Sequence, residues 1–261
     1  IKKNLDNYQK EYGNDIPIHK HPLIRSEEAC YLSSSSAVAL AKKTGARLHV
    51  FHLSTEKELS LFTDKMPLED KKITAEVCLH HLWFHDEQYA DLGAHIKWNP
   101  AVKKESDRQA LKKAFNSDLI DVFATDHAPH TVAEKDSPYA SCPSGGPMVQ
   151  HALPALFEMV HNGETTIENI VQKTAHNPAK LFNIEKRGFI REGYKADLVL
   201  VDTSAPFTVT PENILYKCNW SPMMGNTFQT SVLYTIVNGR IVYENGKFPE
   251  AKCGEKLTFN R

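Results

Sequence analysis

The chain has no apolar run approaching the roughly 18 residues a membrane span requires, and no signal peptide is visible at its start. Neither sign of charge is in excess: formal net charge is −1 and the sequence pI is about 7.0. Nucleic acid and anionic membrane surfaces are therefore not expected partners. Cysteine is sparse. Cys30, Cys78, Cys142, Cys218 and Cys253 are odd in number and show no C-x-x-C spacing. That argues against a disulfide framework or a thiolate zinc site and makes a reducing cytoplasm the expected compartment. No internal repeat or low-complexity tract is present, "SSSS" at 33–36 being too short to count. What remains is ordinary globular composition, with 41% hydrophobic and 24% charged residues in 261. Mixed charge runs such as "KKESDRQALKK" (103–113) read as solvated helix faces.

Two regimes of patterning follow. Up to about residue 182, short β-branched or apolar runs alternate with amphipathic helices, the pattern of a parallel α/β sheet. Strands are expected in "ARLHVFHLS" (46–54), "KKITAEVCLHHLWF" (71–84) and "LIDVFAT" (119–125), with a short extended piece at "HIKWNP" (95–100). Thr55 with Glu58, Ser106 with Gln109, and Thr165 with Glu168 have capping-box spacing at helix starts. A further helix is expected over 148–163, and "NPAKLF" (177–182) closes the helix opened at Thr165. From about Arg187 the chain changes to short strands with Gly turns, and Asn238-Gly239 and Asn245-Gly246 are hairpin signals. The expected domains are 1–186, an α/β catalytic part, and 187–261, a small β unit. A complete (β/α)₈ barrel needs roughly 250 residues. Three strands in under 190 residues mean either a small open sheet or a barrel lacking its first part.

The chemistry concentrates in "VFATDHAPH" (122–130), which ends an apolar run with Asp126 and His127 and adds His130 one short turn later. His52 in "HVFHLST" stands at the same end of its own strand. In a parallel α/β barrel those ends converge on one face. Imidazole and carboxylate there suit a hydrolytic Zn²⁺ with an open position for water. Taken singly, His52 also reads as a core histidine and Asp126 as a helix cap. The combination with His130 favours the metal.

In order along the chain, "HVFHLST", "EVCLHHLW", "IKWNPAV", "ATDHAPH", "PSGGPMVQ" and "NPAKLF…GFIREGYKADLVLVD" resemble the dihydroorotases of the cyclic amidohydrolase superfamily. "TDHAPH" is the most specific element. "GYKADLVLVD" is shared more widely and supports only a β-sandwich. The resemblance implies the C-terminal part of a TIM-like (β/α)₈ metallohydrolase barrel, about its last three strands, plus a β-sandwich portion. It implies a binuclear zinc centre and the interconversion of dihydroorotate and N-carbamoyl-aspartate in pyrimidine synthesis, with that small molecule as the partner. His52 matches a ligand of one zinc. Asp126 matches the carboxylate that binds the other and carries the proton. Asn99 and His130 match substrate-holding groups, and Pro143, Gly145 and Gly146 belong to the loop whose backbone closes over the ring. His127 is read as a brace for the strand end, and His80 and His81, with Glu76 beside them, as supporting residues.

The resemblance also implies parts this sequence does not contain. The family's barrel opens with a His-x-His pair and an arginine, followed by a bridging lysine carbamate or aspartate and a further histidine. The one His-x-His here, His19-Lys20-His21, precedes too few strands and is read as loop. The start at Ile1, without Met, fits a processed terminus or a cut through a longer protein. The expectation is that five strands and several ligands lie upstream, and that this segment by itself is inactive. A homodimer is compatible with the sequence. Two alternatives stand beside this reading: an allantoinase- or hydantoinase-type cyclic amidase, and an inactive homologue acting as a scaffold.

Overall fold

The longest helix shows how local sequence builds this chain. Ser26 caps it by accepting from the Ala29 N–H at 3.3 Å. Glu27 and Glu28 occupy its first turn, Lys42 and Lys43 its last, and Gly45 ends it in the left-handed conformation at φ 72°. Each of these complements the unpaired groups and dipole of the helix ends, the cap contributing about 1 kcal/mol. The structure, a computed structural model, describes residues 1–249 and 252–260. It divides into two compact units, Ile1–Ala152 with Thr210–Met224, and Leu153–Val209 with Gly225–Arg261. The sequence-based cut between 186 and 187 does not coincide with this division.

The first unit runs α1 (Lys2–Tyr12), α2 (His21–Ile24), α3 (Glu27–Thr44), β1 (Leu48–Val50), β2 (Ile73–Cys78), α4 (Leu79–Trp83), α5 (Tyr89–Leu92), α6 (Glu105–Phe115), β3 (Val122–Ala124) and α7 (Val132–Lys135). The strands form one parallel sheet in the order β1-β2-β3, with Leu48 opposite Ile73 and Glu76 opposite Val122. The central strand is buried at Thr74, Ala75, Val77 and Cys78, the near-continuous burial expected where both faces of a parallel strand are covered. Among the described residues β1 and β3 each pair on one side only, and Phe51, just past β1, is 60% exposed. At the opposite end of the sheet, Lys71 Nζ donates to Asp121 Oδ1 at 2.7 Å and to the Asp118 carbonyl. Asp121 Oδ2 accepts from the Ala75 N–H at 2.9 Å, which ties the start of β3 to β2.

The second unit holds most of α8 (Ala152–His161), then α9 (Ile167–Val171) and α10 (Asn177–Leu181) with a turn of π-helix between them (Gln172–His176). Its strands are β4 (Leu198–Asp202), β5 (Phe207–Thr208), β6 (Thr227–Phe228), β7 (Ser231–Val237) and β8 (Arg240–Glu244). They form antiparallel sheets β4-β7-β8 and β5-β6. Asn238 and Gly239 turn β7 into β8 with φ of 50° and 78°, as a two-residue hairpin requires. Asn245-Gly246 makes a tight turn that bridges Glu244 to Lys247.

Several local expectations shift. Thr55 and Glu58 do bond reciprocally, at 2.9 and 3.3 Å, but they open only the 3₁₀ turn Lys57–Leu61. The reason is tertiary: Glu58 is buried and also accepts from Ser34 Oγ at 2.5 Å, so its carboxylate is committed to α3. α6 begins at Glu105 without a side-chain cap, and Gln109 bonds Glu105 at 2.7 Å instead of reaching back to Ser106. Thr166, not Thr165, caps α9 by accepting from the Asn169 N–H at 3.2 Å. His19 lies in a 3₁₀ turn and His21 opens α2, fully buried, so neither is a loop residue. Among the described residues no helix is long and apolar enough to cross a membrane.

Candidate active site at the strand ends

His52 follows β1 by two residues, and Asp126 follows β3 by two residues. Both stand at the C-terminal ends of parallel strands, one on each side of β2. Their backbones are left-handed, with φ of 40° and 45°. The other described non-glycine residues at positive φ are four asparagines and Lys186. Holding a histidine or an aspartate there costs conformational energy that ordinary chain reversal does not require, and such strain gathers where side chains must be aimed.

His52 is half-buried, and its Nδ1 is buried without a hydrogen-bond partner. Burial raises the Asp126 carboxyl above its ordinary range; the His52 imidazole opposes that rise and Glu76 adds to it. Glu76, on β2, is bonded to His49 Nε2 at 3.1 Å, and His49 Nδ1 to Thr74 Oγ1 at 2.8 Å. His52, Asp126 and Glu76 therefore share one electrostatic neighbourhood across the sheet.

Asn99, expected from the sequence to hold substrate, sits in a segment carried by bulky rings. His80, fully buried, stacks on Trp98 with centroids 4.5 Å apart and 8° between planes. His81 Nε2–H donates to the Pro100 carbonyl at 3.1 Å. Burial holds both imidazoles neutral, His81 at about 3. Between Trp98 and Pro100 sits Asn99, half-buried, whose Oδ1 is buried and unpartnered. His52 and Asn99 line one cavity of about 390 Å³, together with Arg25, Cys30, Ser34 and Glu58. Asp126, His130, Pro143, Gly145 and Gly146 are not part of its lining.

Those five are organised separately. His127 Nδ1 accepts from the N–H groups of Met148 and Val149, at 3.1 and 3.4 Å. The His130 carbonyl accepts from Trp220 Nε1 at 2.7 Å. Trp220 also packs on Gly146, where an added Cβ would lie 3.3 Å from Trp220 and 2.7 Å from Trp98. At Gly145, φ is 121° and a Cβ would meet the Ala128 carbonyl oxygen at 2.6 Å. Both glycines are therefore required by close approach. The Ala128 N–H donates to the Gly146 carbonyl at 3.2 Å, joining the 143–147 loop to the segment after Asp126.

His52 and Asp126 are nitrogen and carboxylate donors of the kind a zinc ion takes, and the orphaned Nδ1 of His52 fits a ligand that would satisfy it. They are two donors where a site needs three or four. Among the described residues no cluster of three or more His, Cys, Asp or Glu side chains is arranged to hold a metal. Sequence reading missed the contacts of His21, Lys97, Lys135 and Tyr139, which tie Trp98 and the 139–145 segment together. A lysine flanked by Ile96 and Trp98 was the signal available for one of them.

Comparison with known proteins places these features in a group. The model of the amidohydrolase family matches residues 18–242. The chain is 36% identical over 221 residues to a dihydroorotase of Clostridium acetobutylicum, covering 84% of this chain and 51% of that protein. It is 35% identical over 209 residues to a dihydroorotase of Pyrococcus furiosus, covering 80% and 48%. The chain thus spans about half the length of the curated relatives it matches. In fold it is similar to a D-hydantoinase, with TM-score 0.85 at 20% identity over 95% of this chain and 55% of that one. The L-hydantoinase (dihydropyrimidinase) of Arthrobacter aurescens gives 0.85 at 22% over the same shares.

Proposed function

The chain belongs to the amidohydrolase family, and on that premise we propose that it is part of a zinc-dependent dihydroorotase. The reaction is reversible hydrolysis of the cyclic amide of dihydroorotate to N-carbamoyl-aspartate. In this reading residues 1–186 are the C-terminal part of a (β/α)₈ barrel, about its last three strands, and 187–261 belong to a β-sandwich. The observation that carries it is the pair His52 and Asp126, both held at left-handed φ past parallel strand ends. Identity to dihydroorotases of 29–36% over 78–93% of the chain favours this substrate over that of the hydantoinases, which are similar in fold at 19–22%.

His52 and Asp126 would hold the binuclear zinc centre, its other donors coming from the half of the relatives' length that this chain does not span. Zinc bound there supplies Lewis-acid activation of water and of the amide carbonyl. Asp126 takes the proton of the attacking water and delivers it to the ring nitrogen as the C–N bond breaks, acting as general base and then as general acid. His130 holds the substrate carboxylate by a charge-assisted hydrogen bond, and Asn99 holds the substrate. The backbone of Pro143, Gly145 and Gly146 covers the ring.

The test is made on the intact protein with dihydroorotate, N-carbamoyl-aspartate and hydantoin. Dihydroorotate is expected to be the preferred ring. Asp126→Asn is expected to lower kcat by about a hundred-fold or more while the protein stays folded. Preference for hydantoin would move the assignment to the hydantoinase type, and full activity of the Asp126 variant would remove the proton carrier from the mechanism.

A further inference from the structure

Two lysines lie beneath the loop that would cover the ring. Lys135 is 1% exposed and Lys97 5% exposed. Lys135 Nζ donates to the carbonyls of Gly145 at 2.8 Å, Pro143 at 3.0 Å and Lys97 at 3.4 Å. Lys97 Nζ donates to the carbonyls of Cys142 at 2.6 Å and Tyr139 at 2.7 Å, and lies 4.2 Å from the centroid of the Tyr139 ring. Among the described residues neither ammonium is paired with a carboxylate. A buried cation without a counter-ion is costly, and carbonyl dipoles offset the cost only while the backbone keeps its oxygens aimed inward. The loop and the two amines therefore define each other's position. Burial lowers both ammonium groups, Lys135 to about 8, which leaves Lys135 charged at neutral pH.

The same frame carries the other substrate segments. Burial holds the His21 imidazole neutral, at about 3. Its Nε2–H donates to the Trp98 carbonyl at 2.7 Å, so Nδ1 accepts from the Tyr139 hydroxyl at 2.8 Å. The Gly145 N–H donates to the Lys97 carbonyl at 2.8 Å, and residues 127 and 146 form a parallel bridge. Asn99, the 126–130 segment and the 143–146 loop are thus laced together through two ammonium groups and one neutral imidazole.

We propose that Lys97 and Lys135 are positioning residues, two buried ammonium groups that fix the 138–146 loop over the substrate ring through its own carbonyls. That the loop covers the ring of dihydroorotate rests on the reaction proposed above; the anchoring does not.

In the intact protein, Lys135→Met keeps much of the side-chain length and removes the charge. Amide exchange across 138–146 is expected to quicken at least about ten-fold while β2 keeps its protection. KM for dihydroorotate is expected to rise about ten- to a hundred-fold. Its kcat should change by less than about three-fold, and KM for hydantoin, whose ring the same loop covers, should rise in parallel. Unchanged loop exchange, or a KM that stays put while the loop loosens, would overturn the proposal. Should Lys135→Met not fold, Lys97→Met carries the same test, because it frees only the Tyr139 and Cys142 carbonyls. Global unfolding of both variants would also overturn it, since the lysines would then support the whole unit. If the wild-type protein does not turn over dihydroorotate and Lys135→Met still loosens the loop, the reaction assignment fails and the anchoring stands.

Discussion

His52 and Asp126 are aimed by backbone that glycine would adopt more readily. A left-handed conformation costs an L residue roughly 1–2 kcal/mol, somewhat less for aspartate, whose short polar side chain bonds locally. Asp126→Gly is therefore expected to stabilise the metal-free protein by about 1 kcal/mol in urea unfolding while abolishing turnover. A stability loss would show that the Asp126 side chain supports the fold and is not held there at the fold's expense. Here the residue types were legible and the strain was not: "TDHAPH" and "HVFHLST" mark two donors in the chain. Nothing local in them announces a positive φ, because the strand and loop on either side impose it.

At the scale of elements, the sheet is fastened at the end away from the site. The Lys71–Asp121 pair is buried, with side chains 2% and 3% exposed. Removing Lys71 takes its ammonium away from the buried Asp121 carboxylate, so Lys71→Met is expected to cost about 3–5 kcal/mol by urea unfolding. Adding Asp121→Leu should recover part of that loss, the remainder reflecting the Ala75 N–H left without its acceptor. A double variant no better than the single one would mean that packing, and not charge, holds β2 to β3. The three parallel strands were readable from apolar runs, and the central one is also buried almost throughout, as a strand covered on both faces should be. The 3₁₀ turn after Thr55 was not, because the burial of Glu58 against Ser34 overrides a correct capping pattern.

For the whole molecule, the buried histidines set the acid limit. Burial lowers His21 and His81 to about 3 each and His151 to about 4, against an ordinary 6.5. Their folded-state pKa values are depressed, so the unfolded chain takes up protons that the folded chain refuses. The stability this represents is complete above about pH 6.5 and is lost as pH falls from there toward 3. The urea midpoint is expected to drop steadily across that window. His21→Gln, which keeps a donor for the Trp98 carbonyl, should lessen the proton uptake on unfolding by about one. An unchanged slope would mean that His21 is protonated in the folded state.

The sequence by itself determined what depends on neighbours within a few residues. It placed the parallel strands by their apolar runs and the β7–β8 hairpin by Asn238-Gly239, and it marked His52, Asp126 and His130 as candidates by their clustering at strand ends. Tertiary structure alone decided how those residues are held. The return of Thr210–Met224 to the first unit brings Trp220 against Gly146 and under the His130 carbonyl. His21 reaches Trp98 across 77 residues and Tyr139 across 118. Lys97 closes on the Cys142 carbonyl 45 residues away. Propensity and periodicity act over one or two turns of chain. Contacts at these separations form only after the loops between them have closed, so which histidine is buried and which lysine is a loop anchor is set by the assembled fold.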